Sequence, residues 1–243
     1  MTSMDRKSPM PLYFQLKRLL LEKITTHTWK PGDLVPSEQE LQVGHQLSRT
    51  TVRQALTELV AEGHLVRQRG RGTFVAQPKF EHSPLRRRGI SQYLASQGLT
   101  PGLRVVDADW AHPPPAVRAA LKLEAGQRAY RIRRLRLADD QPIGVLTSWL
   151  PEAIARAIDT AALNQGESLH YLRNLPQMLK TRAVRAIEAV PAHEEEARLL
   201  LARKGAPMLM IERTVIGADG APVEFMRAVY RGDRLKYQVP DDY

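Results

Sequence analysis

The feature that most constrains this chain is a duplication. Ala138-Asp139 recurs as Ala218-Asp219, Pro142-Ile143 as Pro222-Val223 and Arg133 as Arg213, each pair eighty residues apart. Upstream, residues 117–123 and 197–201 both read as amphipathic helices leading into a glycine, Gly126 and Gly205. Each copy is therefore a helix, a glycine, a strand, an Ala-Asp turn and a returning strand. A period this long is not that of a solenoid, whose repeats are shorter. It predicts two pseudo-symmetric halves in constant register, sharing one antiparallel sheet.

The first third follows different rules. Leu12, Leu16, Leu19, Leu20 and Ile24 fall on one helical face, and that helix stops before the turn at residues 30–33. Ser37 and Glu40 have capping-box spacing ahead of Leu41, Val43 and Leu47, so a second helix starts at about Glu38. A third is capped by Ser48, buries Val52, Leu56, Leu59 and Val60, and ends at Gly63. Two helices joined by so tight a turn have helix-turn-helix spacing. The outer face of the third carries Arg49, Thr50, Arg53, Gln54 and Thr57, groups that hydrogen-bond phosphates and base edges. Residues 64–69 and 73–76 then read as strands flanking Gly70-Arg71-Gly72, a hairpin bearing Arg67, Arg69 and Arg71.

Charge supports that reading. The net charge is +10, and residues 1–79 hold twelve Lys/Arg against seven Asp/Glu, so the basic excess is densest where the hairpin and third helix lie. The chain has no cysteine, which excludes a disulfide scaffold and a thiolate metal site. It has no apolar run near the roughly 20 residues of a spanning helix, so a cytoplasmic protein with no membrane partner is expected. The acidic run at residues 193–196 and the basic Arg203-Lys204 match opposite ends of a helix dipole better than a metal site. No metal or cofactor is expected.

Periodicity is lost across residues 77–88, where Pro78, Pro84 and Arg86-Arg87-Arg88 suggest a linker. The expected division is a DNA-binding domain over 9–77, a linker over 78–89 and a ligand domain over 90–240. In the last, Arg134 and Arg136 stand two apart on a strand and can fork a carboxylate or phosphate, unless they form a solvated basic face. Glu224 on the matching strand can accept hydrogen bonds. Ser168 opens a short helix, where it is otherwise a plain N-cap. The helix after Gly89, at Ile90-Ser91, presents free amides at its start.

Residues 11–76 resemble the winged helix-turn-helix domain of the GntR transcription regulators, on PLYFQLKRLLLEKI, LVPSEQEL, LSRTTVRQALTELVAEG and RGRGTFV. The resemblance implies DNA contacts from Arg49, Thr50, Thr51, Arg53 and Gly70, and from Gln39, which stands where the family has an arginine. Residues 84–239 are similar to the UTRA effector domain of the HutC subfamily, a chorismate-lyase-like fold, on RLRLADDQPI, TSWLP, ESLHYL, ERTVIGADGAPVEF and YRGDRLKY. That likeness implies effector contacts from Ile90, Ser91, Arg134, Arg136, Ser168 and Glu224. Two positions depart from it: Leu146 replaces a glutamate, and Gly89-Ile90 replaces Ser-Phe.

The fold class expected is α+β, a winged helix-turn-helix followed by an antiparallel-sheet domain. The function expected is a transcription regulator, a repressor of a metabolic operon. It would bind a palindromic double-stranded operator as a homodimer and answer to a small acidic effector: a sugar phosphate, a carboxylic acid or a phosphonate. A chorismate-lyase-like enzyme is the alternative, but the sequence holds no Ser/His/Asp set, metal cluster or glycine-rich phosphate loop. An architectural nucleic-acid binder would not need the duplicated half.

Overall fold

The structure, a computed structural model, describes residues 4–68, 70–77, 79–82 and 89–237, with 81–82 as backbone only. The chain forms two compact units, Met1–Pro78 and Lys79–Tyr243.

In the first unit, α1 (Leu12–Thr25), β1 (Leu34–Val35), α2 (Glu38–His45), α3 (Arg49–Ala61), β2 (Leu65–Gln68) and β3 (Gly72–Val75) follow in order. Leu16 and Leu20 of α1 close over Leu41, Val52, Ala55, Leu56 and Leu59, with Val35, Leu65 and Val75 sealing the sheet side. The strand order is β1-β3-β2. Both expected caps are present. Ser37 Oγ accepts from Glu40 N while the Glu40 carboxylate accepts from Ser37 N at 2.7 Å. Ser48 Oγ accepts from Thr51 N. The turn between α2 and α3 is made by Gln46, whose φ of 54° is left-handed. Val43, expected to pack, is 75% exposed, because α2 is only eight residues long and buries Leu41 alone. Val60 packs against this core half buried, and Ala55 joins the fully buried face of α3.

The second unit runs β4 (Phe80–His82), α4 (Ile90–Ser96), β5 (Pro101–Ala111), α5 (Pro115–Ala120), β6 (Ala129–Ala138), β7 (Gln141–Leu150), α6 (Glu152–Ala155), β8 (Arg182–Pro191), α7 (Glu194–Leu199), β9 (Pro207–Ile216), β10 (Pro222–Arg231) and β11 (Leu235–Tyr237). Three short 3-10 turns, at Thr160–Asn164, His170–Leu172 and Pro176–Met178, lie between α6 and β8. Within the stretch read as linker, β4 pairs in parallel with β11. Pro78, Pro84 and Arg86 to Arg88 lie outside the described residues.

The duplication is visible in the sheet. Its order, β5-β6-β7-β10-β9-β8, is a palindrome of two strand-helix-strand-strand units. The central partners Thr147 and Arg227 face each other across β7 and β10 and are themselves eighty residues apart, so the pseudo-two-fold passes through that pair. The constant register does not hold everywhere. Arg134 pairs with Leu146, whose eighty-residue mate is Met226, yet Met226 pairs with Arg213 rather than Thr214. The bulges at residues 142–144 of β7 and 222–224 of β10 are equivalent; what differs is the turn, with four residues between the paired Leu137 and Pro142 and five between the paired Ile216 and Pro222, so β9 is offset by seventy-nine. The true counterpart of Arg213 is Arg134, not Arg133.

Both sheet faces are covered. One face packs Leu135, Leu137, Val145 and Val229 against Ala197 of α7 and Leu200 at its C-cap, while Trp149 and Phe225 meet Val117 of α5. The other packs Leu146, Met226 and Ala228 against Ile90 and Leu94 of α4, and Ile132 and Val215 against Leu163 and Leu172 of the 3-10 turns. Helix α7 ends at Leu199 with Arg198 as its last-turn cation, so Arg203 and Lys204 fall beyond it. Lys204 instead reaches back to Glu194 at 3.2 Å.

Candidate DNA-binding surface and effector pocket

The first unit presents its polar strip to solvent. Arg49, Thr50, Arg53, Gln54 and Thr57 of α3 are all exposed, as is Gln39 on α2. Thr51 is half buried, and its hydroxyl is engaged with Ser48 Oγ at 2.8 Å, so it helps hold the helix start as well as facing outward. The wing places Arg67 near the same surface. Its guanidinium lies 3.5 Å from Glu38 and 3.4 Å from Thr57 Oγ1, while Arg49 sits 3.8 Å from Glu38. These are loose, exposed ion pairs of little energetic weight. They keep the cations together without burying them. At the wing tip Gly70 has φ +72°, and a side chain there would meet nothing within 4 Å, so its backbone can be approached closely. Arg69 lies outside the described residues.

The second unit does the opposite with its cations. Arg134 and Arg136 are each 0% exposed, which rules out a solvated basic face. Arg134 donates to the carbonyls of Ser168 (2.8 Å) and Leu163 (3.4 Å) and stacks its guanidinium over the Tyr171 ring at 4.7 Å. Arg136 donates through Nη1 to Ser91 Oγ. Its Nε and Nη2 have no hydrogen-bond partner. Burial pulls the Arg136 guanidinium below its usual range, against the opposing influence of Tyr230 and Glu167. The Tyr230 ring can lie across the strand towards Arg136 because Gly144 sits between them in register. A Cβ on Gly144 would come within 2.4 Å of that ring.

Glu224 is 0% exposed and doubly held, by Tyr171 Oη and by Arg213 Nη2, each at 2.7 Å. Burial and the adjacent Glu224 push the Tyr171 hydroxyl far above its usual range, keeping it a donor. Arg213 also donates to Ser168 Oγ at 3.0 Å. Ser168 is therefore not an N-cap. The turn at His170–Leu172 has Leu169 at its cap position and no side-chain cap, because the serine hydroxyl is turned towards the sheet. Two pseudo-symmetric arginines thus converge on one serine, Arg134 on its carbonyl and Arg213 on its hydroxyl.

Of the expected ligand residues, the fold brings Ser91, Arg134, Arg136, Ser168 and Glu224 to one face of the sheet. Ile90 sits beside them as core, 6% exposed. Sequence reasoning did not assign Arg213, Tyr171, Tyr230 or Glu167 to the pocket. Arg213 carried a signal, the duplication itself, but the extra residue in the β9–β10 turn pointed it at the wrong partner. Arg133 faces the other way, ion-paired with Asp107 and Glu195. No group of three or more His, Cys, Asp or Glu able to hold a metal exists among the described residues. Nor is any described helix long and apolar enough to cross a membrane.

A winged helix-turn-helix with an open cationic face, followed by a sheet domain with a buried arginine and carboxylate cluster, belongs to a DNA-binding regulator with a second, sensing domain. The chain belongs to the gntR family of bacterial regulatory proteins, HutC subfamily: residues 12–75 match that family's model and residues 96–236 match the UTRA domain. It is 34% identical over 235 residues to the HTH-type transcriptional repressor NagR of Bacillus subtilis, covering 97% of this chain and 96% of that one. It is 30% identical to the histidine utilization repressor of Pseudomonas putida, covering 96% and 92%. The crystal structure of PhnF from Mycobacterium smegmatis matches over 95% of this chain and 98% of its own, with TM-score 0.61 and 26% identity. The chain is a ligand-responsive transcription regulator and not an enzyme.

Proposed function

We propose that this protein is a repressor of a metabolic operon that binds a palindromic operator as a homodimer and is controlled by a small acidic metabolite: a sugar phosphate, a carboxylic acid or a phosphonate. DNA binding is assigned to residues 9–77, through Gln39, Arg49, Thr50, Thr51, Arg53 and Gly70. Effector binding is assigned to residues 90–240, through Ser91, Arg134, Arg136, Ser168 and Glu224, with Ile90 shaping the pocket, and residues 78–89 link the two. The observation that carries the effector class is the pair of fully buried guanidiniums, one with two unpaired donors. Buried cations are costly unless paired, so a pocket that keeps them suits an anion.

Leu146 narrows the class further. It is fully buried and pairs across the sheet with Arg134, which puts a methyl group where the HutC pattern has a carboxylate. The pocket has one acceptor fewer for hydroxyl or amine groups and suits a more apolar or smaller acid. A palindromic operator and a dimer follow from reach, since one winged unit touches only a few base pairs. That relatives over nearly the full length are repressors supports the sign of regulation.

The test is an electrophoretic shift on the DNA upstream of the protein's own operon, with a thermal-shift screen of the three acid classes. One specific complex with two-fold footprint symmetry is expected, together with a melting temperature raised by at least one acid. Absence of any specific complex would sink the reading.

A further inference from the structure

The pocket contains a second carboxylate, and it is held quite differently from Glu224. Glu167 Oε1 accepts from the backbone N of Gln92 at 3.0 Å, in the first turn of α4. Its Oε2 stands 4.0 Å from Arg136 Nη2, at the outer limit of an ion pair and too far for a hydrogen bond. Arg136 is fully buried, and that same Nη2 has no hydrogen-bond partner. Glu167 is 31% exposed at its side chain, so it has a way out to water, while Glu224 has none. It follows Gly166, whose φ is +61° and whose carbonyl accepts from Ser91 Oγ at 3.1 Å.

Room for this carboxylate has been made on the opposite side. A Cβ on Gly89 would lie 2.2 Å from Glu167 Cδ. The backbone there is ordinary, with φ −72°, so the glycine answers to close approach and not to conformation. An acid group that reached Arg136 and the Gln92 amide would have to take the place Glu167 occupies.

We propose that Glu167 is an internal stand-in for the effector's acid group, occupying its seat in the free protein and leaving when an acidic effector binds. This rests on the reading of the Arg134/Arg136 pocket as the effector site. Of the two carboxylates, only Glu167 is suited to leave, since Glu224 would abandon two short hydrogen bonds and strand Arg213. The stand-in sets a threshold. It lowers affinity for weak or abundant anions and lets the pocket keep a buried cation when empty of effector.

The experiment titrates the full-length protein with inorganic phosphate at constant ionic strength, by calorimetry, in wild type, Glu167→Gln, Glu167→Ala and Arg136→Met. Removing the competing charge is expected to tighten phosphate binding by about tenfold in both Glu167 variants, the scale of one modest charge-assisted contact. Two variants are used because glutamine preserves size and alanine opens the seat. Arg136→Met is expected to abolish binding. Equal or weaker binding in both Glu167 variants, with binding still lost in Arg136→Met, overturns the stand-in while leaving the pocket intact. Phosphate binding that survives Arg136→Met overturns the pocket assignment itself, and the stand-in with it. No phosphate binding by any Glu167 variant also overturns the stand-in.

Discussion

The two units use arginine in opposite ways. On α3, Arg49 keeps 75% of its side chain in water and touches only a half-exposed Glu38, whereas Arg134 and Arg136 on β6 are fully enclosed. An exposed guanidinium costs nothing to keep charged and can meet a polyanion with its own counterions to release. A buried one must be answered by fixed partners, and the partners chosen determine which small anion fits. On the proposed assignments, polyelectrolyte recognition and metabolite recognition come from one residue type, separated by whether the tertiary structure closes over it.

The sharpest way to break this contrast is to remove an answering charge. Glu224→Ala would leave Arg213 buried beside an unsatisfied Tyr171 hydroxyl, and should cost about 3–5 kcal/mol in urea unfolding of the larger unit. A loss under about 1 kcal/mol would mean the pocket is wetter and its arginines less enclosed than the burial implies. Arg49→Ala should behave oppositely, leaving stability within about 0.5 kcal/mol. Operator affinity should then fall by about 1–3 kcal/mol, with a shallower salt dependence in a mobility-shift series. Unchanged operator affinity would remove α3 from the interface.

The smallest effect is a pH dependence in the first unit. The Glu40 carboxylate is held below its usual range by the Ser37 hydroxyl and amide. A depressed carboxylate contributes stability above its unfolded pKa, and that contribution is lost as pH falls through the lower folded value. Thermal unfolding of the winged unit should therefore weaken on acidification below about pH 4.5. The Ser37→Ala variant should lack that component, and a slope identical to wild type would refute it.

Local chemistry made much of this legible. Ser37-Glu40 and Ser48 wrote their own helix starts, because a cap needs only its neighbours three residues on. The pairing of Arg134 with Arg136 was likewise visible, as an i, i+2 spacing on a strand. Val43 misled because periodicity cannot say that an eight-residue helix has room for one buried side chain. Ser168 stayed open between a cap and a site residue, because a serine before a short turn has the same local signature whether it caps or points at a distant arginine.

What the amino-acid order settled alone is the division of labour: a capped, outward-facing basic helix, and a duplicated sheet with a paired guanidinium motif. What only the three-dimensional packing decided is which arginine joins that motif. Side chains alternate faces along a strand, so the one extra residue in the β9–β10 turn puts Arg213 on the face of Arg134, while Arg133 went to the surface with Asp107 and Glu195. Which turn residue is the extra one is fixed only when β9 and β10 settle against each other, and its consequence for Arg213 exists only once they have paired.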